Sequence, residues 1–161
     1  MLVLGTATPG GGFPLYGDAF TEVVNAQDPT LGVQPRNTKG SGENVPLLEA
    51  GKLDIALVAG EFVNAALAKP ATRLRIITAI YATPGMFIVP AASPIRTVAD
   101  LKGRPVVLGA QASGITLLGR NVLDFLGIEV QPIYLEKVAD GPPMLDGALR
   151  VAGDTLQECV Q

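Results

Sequence analysis

Residues 40–58 read GSGENVPLLEAGKLDIALV, and the fold follows from how this stretch is parsed. A small polar cluster, Gly40, Ser41, Gly42 and Asn44, opens an apolar helix carrying Leu47 and Leu48. The helix stops at Gly51, and after Lys52, Leu53 and Asp54 a short apolar strand runs from Ile55 to Val58. Ser41 is the expected N-cap, with Asn44 three residues on, and Gly51 is the expected residue beyond the helix end, where φ turns positive. The first turn of such a helix presents backbone N–H groups that no intrahelical carbonyl satisfies, in a field that favours negative charge. The stretch is therefore either a carboxylate or anion site or simply one well-capped αβ unit of a parallel sheet, and these residues alone leave both open.

Upstream, Leu2–Leu4 with Gly5 and Thr6 is a short strand, and residues 6–13 (TATPGGGF) are a glycine-rich turn. A helix follows from about Pro14 to Gln27, with Leu15, Phe20, Val23 and Val24 as its expected apolar side and Pro14 placed well in its first turn. Strand, glycines and helix resemble a dinucleotide fingerprint only loosely, because Gly10, Gly11 and Gly12 are consecutive and give no G-x-G-x-x-G. The preferred reading is that the three glycines let a small ligand approach the backbone closely; a tight βα turn needing φ > 0 is the alternative, and the two are not exclusive. After a turn at Asp28, Pro29 and Thr30 a second strand spans Gly32–Arg36. Downstream of Val58, Glu61–Lys69 reads as a short helix and Arg73–Tyr81 (RLRIITAIY) as a buried β-branched strand. Residues 1–82 thus spell β-α-β-α-β-α-β, a parallel sheet covered on both faces. Ligands in such sheets sit beyond the carboxyl ends of the strands, so the loops after Thr6, Arg36 and Val58 are expected to meet.

The pattern breaks at Thr83, Pro84 and Gly85, which places a lobe boundary between residues 1–84 and 85–161. Met86–Val89 is a new apolar strand, Pro90–Pro94 a link of small residues, Thr97–Leu101 a helical turn left through Lys102 and Gly103, and Pro105–Leu108 a strand. The loop GAQASGIT, residues 109–116, enters a helix over Ser113–Leu126 ended by Gly127, and Gln131–Leu135 is a further strand. The second half so repeats the device of the first. Ser113, Gly114 and Thr116 either cap their own helix or grip a ligand.

Composition narrows the function classes. The 161 residues carry 12 Lys and Arg against 15 Asp and Glu without a long run of either sign, so there is no basic footprint for nucleic acid. No eighteen-residue apolar run occurs, and Met1 leads almost directly into the first strand, so the sequence is expected to be cytosolic or to have lost a leader. The single cysteine, Cys159, allows no intramolecular disulfide and no cysteine metal cluster. The chain has no histidine, which removes the usual general base and the commonest zinc or iron ligand. Neither a cofactor nor a metal is called for, and no enzyme is expected: the remaining candidate bases and nucleophiles, Asp18, Glu22, Asp54 and Lys39, form no convincing pair.

Five segments taken in order, LVLGTATPGGGFPLYGDAF, GSGENVPLLEAGKLDIALVAGEF, MFIVPAASPIRTVADLKGRPVVLGA, ASGITLLGRNVLDFLG and IYLEKVADGPPMLDG, resemble the TAXI-type solute-binding proteins of tripartite ATP-independent periplasmic (TRAP) transporters over residues 2–147. The resemblance implies an α/β fold of the periplasmic binding protein type II kind, two parallel-sheet lobes closing on a small organic anion, an amino acid such as glutamate or another carboxylate. It further implies a periplasmic location and delivery to TRAP permease membrane subunits. Carried over by position, the ligand contacts are Gly10, Gly11, Gly12 and Phe13; Lys39, Ser41 and Asn44; Ala59, Gly60 and Glu61; and Ser113, Gly114 and Thr116. Lys39 is either a source of positive charge or a solvated loop lysine. Glu61 either recognises a ligand ammonium or complements its own helix.

Two departures from that pattern bear on the ligand and on assembly. Ile115 stands where many relatives have threonine, so a hydroxyl contact is either missing or shifted to Thr116. From about Ala148 the text ALRVAGDTLQECVQ no longer resembles the family, so the second lobe is expected to be incomplete, with sheet edges that favour a homodimer. A ligand-sensing or enzymatic domain on the same fold, or a truncated fragment without function, is the alternative expectation.

Overall fold

The computed structural model describes residues 1–82 and 85–135, and the backbone of 149–152. Thr83, Pro84, most of IYLEKVADGPPMLDG and the tail with Cys159 lie outside the described residues. The chain divides into two compact units. The first consists of Met1–Ala82 together with Ala112–Gly114, and the second takes the rest.

In the first unit β1 (Leu2–Gly5) is the centre of a three-stranded parallel sheet, flanked by β2 (Val33–Arg36) and β3 (Ile55–Ala56) in the order β2-β1-β3. Leu4 lies opposite Pro35 on one side and Ile55 on the other. Three helices follow the three strands: α1 (Gly12–Gln27), α2 (Ser41–Glu49) and α3 (Gly60–Leu67). The core is Leu4, Val33 and Leu57, packed by Leu2, Phe13, Tyr16, Phe20, Val24 and Ile55. Full burial of a side chain such as Leu4 contributes about 1.5–3 kcal/mol.

The inward face of α1 differs from the expected one. Phe13, Tyr16, Phe20 and Val24 pack on the core with Gly17 and Thr21 buried between them, at the i, i+3, i+4, i+7 spacing of one helical face. Leu15 and Val23 lie off that stripe and are 71% and 61% exposed. Gly17 lets the helix approach β1, since a Cβ there would lie 2.5 Å from Thr6 Cγ2. Asp28 Oδ1 accepts the N–H and hydroxyl of Thr30 and so closes the turn after α1.

The expected strand Arg73–Tyr81 is a larger correction. Residues 73–81 form no strand, and among the described residues the sheet ends at β3. Ile76 and Ile77 are 61% and 78% exposed. Strand propensity measures fit to a paired, half-buried surface, and without a neighbouring ladder a β-branched run forms no strand.

The second unit holds β4 (Met86–Ile88), a 3-10 turn (Val98–Leu101), β5 (Pro105–Gly109), α4 (Gly114–Phe125, of which Gly114 packs with the first unit), β6 (Gln131–Tyr134) and β7 (Leu149–Ala152). The sheet order is β4-β7-β5-β6. Strand β5 runs parallel to β6 and β7, whereas β4 pairs antiparallel with β7, so this sheet is mixed rather than purely parallel. Strand β7 falls in the stretch expected to depart from the family pattern. Val106 and Leu108 face a core completed by Leu101 and Leu123, while Val107 points to the opposite side with Leu135, the two-residue alternation of a strand covered on both faces. The 3-10 turn is held by a capping box between Thr97 and Asp100.

Candidate functional site

Each strand of the first unit runs at its carboxyl end into a loop that opens a helix, so the N-termini of α1, α2 and α3 begin at one end of the sheet. The loops after Thr6, Arg36 and Val58 do meet there. Thr6 donates its N–H to Arg36 O at 2.9 Å, and its hydroxyl lies 3.1 Å from the same oxygen. Thr38 N–H donates to Ala7 O, and the Thr38 hydroxyl donates to Thr6 O at 3.2 Å while accepting from Gly40 N–H at 3.1 Å. Thr6 and Thr38 are buried and absent from the sequence-derived site. Small hydroxyl residues just beyond two parallel strands were the available signal.

Asn44 links the outer loops. Fully buried, it donates from Nδ2 to Thr6 O at 2.7 Å and to Leu57 O at 2.9 Å, tying the end of β1 to the segment after β3. Its Oδ1 has no hydrogen-bond partner among the described residues and sits over Gly5, where a Cβ would lie 2.9 Å away. Ser41, also fully buried, accepts from Ala59 N–H at 2.9 Å and so fixes the start of α3. Both side chains, expected as ligand contacts, also hold the loops together.

The cap of α2 is a second correction. Gly40, not Ser41, is the N-cap, with φ 104° and ψ −159°, a region open essentially to glycine alone. Ser41 is already helical and its hydroxyl faces Ala59 instead of its own first turn. Glu43 Oε2 accepts from Lys39 N–H at 2.6 Å, which puts an acid at the positive end of the helix. At the other end Gly51, φ 66°, is the residue past the helix as expected: Gly51 N–H bonds Leu48 O and Lys52 N–H bonds Leu47 O, the paired bonds of a Schellman ending.

Residues Ala112–Gly114 complete this end of the first unit. Ala112 O accepts from Gly42 N–H at 3.0 Å, filling one of the first-turn donors of α2. The approach depends on small residues, since a Cβ on Gly40 would lie 3.3 Å from Ser113 Cα, and one on Gly114 would lie 2.5 Å from Ala59 Cβ. Among the described residues, the first-turn N–H groups of Gly12, Phe13, Ser41, Gly60 and Glu61 have no acceptor. These donors, in the positive fields of three helix starts, suit a small anion.

The remaining predicted residues divide. Gly10 has φ 86°, Gly11 caps α1 and Gly12 begins it. Phe13 turns inward, edge-on to Tyr81 at 6.3 Å. Lys39 is exposed, and Glu61 lies half-buried in the first turn of α3. Thr116, buried in the second unit, lies 2.7 Å from both Leu108 O and Ala110 O, so its hydroxyl anchors the loop ahead of α4. Among the described residues no group of three or more His, Cys, Asp or Glu is placed to hold a metal, and no helix is long and apolar enough to cross a membrane.

Residues 4–151 match the model of the NMT1-like family. A comparison with curated protein sequences finds no match. Among solved structures, the chain is similar to the CcmR regulatory domain of Synechocystis PCC6803 in complex with 2-PG, with a TM-score of 0.65 and 11% identity over 94% of this chain and 71% of that one. It is similar to the substrate-binding protein of an amino acid ABC transporter, with a TM-score of 0.59 and 18% identity over 95% of this chain and 70% of that one. It is also similar to the periplasmic aliphatic sulphonate binding protein SsuA of Escherichia coli, with a TM-score of 0.56, 21% identity and 95% of this chain covered; here it spans 54% of the other chain's length. These likenesses show the α/β fold of periplasmic binding proteins of type II.

Proposed function

The chain belongs to the NMT1-like family, and from that premise we propose that it is a solute-binding protein that captures a small organic anion, an amino acid such as glutamate or another carboxylate. The observation that carries this reading is the set of unaccepted N–H groups at the starts of α1, α2 and α3, at one end of the first sheet. A carboxylate there accepts backbone hydrogen bonds, which are shorter and stronger to a charged acceptor than to a neutral one. Each helix start adds about 0.3–1 kcal/mol when exposed. Thr6, Thr38, Ser41 and Asn44 act as positioning residues that hold the loops at fixed spacing before ligand arrives, which lowers the ordering cost of binding. Glu61, in the first turn of α3, favours a ligand that carries an ammonium beside its carboxylate. The part played is transport: a periplasmic subunit that hands its solute to TRAP permease membrane subunits, without catalysis.

A second reading, a ligand-sensing domain, is favoured by the likeness to the CcmR regulatory domain. A thermal-shift panel of amino acids, dicarboxylates and organic sulphonates tests capture itself. A true ligand at a hundred times its Kd stabilises by about 2.7 kcal/mol, which raises Tm by roughly 5–11 °C; absence of a shift across the panel contradicts the proposal. Loss of solute uptake on deletion of the gene separates transport from sensing.

A further inference from the structure

At the start of α2 the N–H groups of Glu43 and Asn44 both bond Gly40 O, at 3.0 and 2.9 Å, which leaves those of Ser41 and Gly42 without an acceptor inside the helix. Ser41 N–H has none among the described residues, whereas Gly42 N–H donates to Ala112 O at 3.0 Å. A neutral carbonyl oxygen thus stands where one oxygen of a bound carboxylate would. Among the described residues this is the backbone hydrogen bond recorded between residues 112–114 and the rest of the first unit. What else seats the segment is close contact between small residues. A Cβ on Gly42 would lie 3.2 Å from Ala112 O, one on Gly40 3.3 Å from Ser113 Cα, and one on Gly114 2.5 Å from Ala59 Cβ. Gly114 is not among the glycines with positive φ, so what glycine supplies there is the close approach to Ala59 and not a special backbone conformation.

We propose that residues 112–114 are a displaceable strap and that the Ala112 carbonyl sets the charge selectivity of the anion site. The inference rests on the solute-binding reading of that site. A carboxylate takes Gly42 N–H from Ala112 O and reaches Ser41 N–H with its second oxygen, so it gains charge-assisted bonds in place of a neutral one. A neutral amide ligand only exchanges one carbonyl acceptor for another and leaves the strap in place. In the empty protein the strap-bound state dominates, and apparent affinity is reduced by the fraction of molecules in which the strap is off. A change that loosens the seat of the strap therefore raises affinity for the anion.

NMR of the labelled full chain tests this by reading the scalar coupling across the hydrogen bond from Gly42 N–H to Ala112 O. The anionic probes are glutamate, glutarate and an aliphatic sulphonate, and the neutral one is glutaramide. The expected result is a coupling that is present without ligand, vanishes on saturation with a binding anion and persists with glutaramide. Gly114→Ala sets a methyl against Ala59 Cβ; it abolishes the coupling in the ligand-free chain and tightens anion binding at least about threefold. Ala59→Gly in that background removes the obstructing methyl and restores the coupling, which separates an unseated strap from a misfolded unit. A coupling absent from the ligand-free wild type or surviving anion saturation overturns the proposal while leaving solute binding intact. So does Gly114→Ala binding the anion no more tightly than wild type, or glutaramide displacing the strap as the anions do. Failure of every anion to saturate either chain removes the solute-binding reading and the strap with it.

Discussion

Removing the Asn44 carboxamide is the sharpest perturbation of the loop end of the first sheet. In Asn44→Ala, Thr6 O loses a 2.7 Å bond but keeps the Thr38 hydroxyl, whereas Leu57 O loses its 2.9 Å donor and has no other recorded among the described residues. The first loss costs about 0.5–1.5 kcal/mol and the second about 1–3 kcal/mol. Removal of the partnerless Oδ1 returns about 1 kcal/mol. The net is a destabilisation of about 2 kcal/mol, a fall in Tm of roughly 4–8 °C. Asn44→Asp keeps the shape but sets a carboxylate oxygen against two carbonyls. Its folded pKa is then raised above the unfolded value, so its stability is greatest at low pH and is lost as pH rises through the folded pKa. At pH 7 it is the worse of the two variants. Urea denaturation, with exchange of the Ala59 amide as a local readout, measures both. A cost below about 0.5 kcal/mol for Asn44→Ala, or an aspartate variant milder than the alanine one at pH 7, refutes the role assigned to this side chain.

Gly40→Ala forces a Cβ onto a backbone with φ 104° and within 3.3 Å of Ser113 Cα, and the expected cost is about 1–3 kcal/mol by chemical denaturation. A neutral effect contradicts the assignment of Gly40 as the cap of α2. Asp100 is held below the ordinary carboxylate range by the N–H groups of Arg96 and Thr97, with the Thr97 hydroxyl adding to them. As pH falls the unfolded chain takes up this proton first, so the contribution is full above the ordinary carboxylate pKa and is lost as pH drops through the depressed folded value. Wild type is therefore expected to lose more stability than Asp100→Asn between about pH 5 and pH 2, and parallel pH profiles contradict the capping box.

The sequence disclosed what short-range chemistry controls. Gly51 ends α2 where glycine is needed, the three βα loops of the first unit converge, and the α/β class follows from strands and helices in alternation. It misled wherever the outcome depends on partners distant in the chain. Leu15 and Val23 are as apolar as Phe20, but α1 presents the face of Phe13, Tyr16, Gly17 and Phe20 to the sheet and leaves them outward. Arg73–Tyr81 has the composition of a buried strand, but hydrogen bonding to a neighbour makes a strand. At the site, Ser41 bonds Ala59 and Asn44 bonds Thr6 and Leu57, loop-holding partners distant in the chain that residue type alone did not name. The donors left for a ligand are backbone amides at the helix starts, the kind of group to which the small polar cluster at residues 40–44 pointed.

The central claim is that a carboxylate binds at the helix starts of the first unit. Amide NMR of the labelled chain, titrated with glutamate and then with glutamine, glutarate and an aliphatic sulphonate, tests it most directly. The account predicts saturable shifts at the amides of Gly12, Ser41, Gly42 and Gly60 with at least one of these anions, Gly42 responding as the anion competes with Ala112 O. Shifts confined to other surfaces, or no saturation with any of the four, would contradict it.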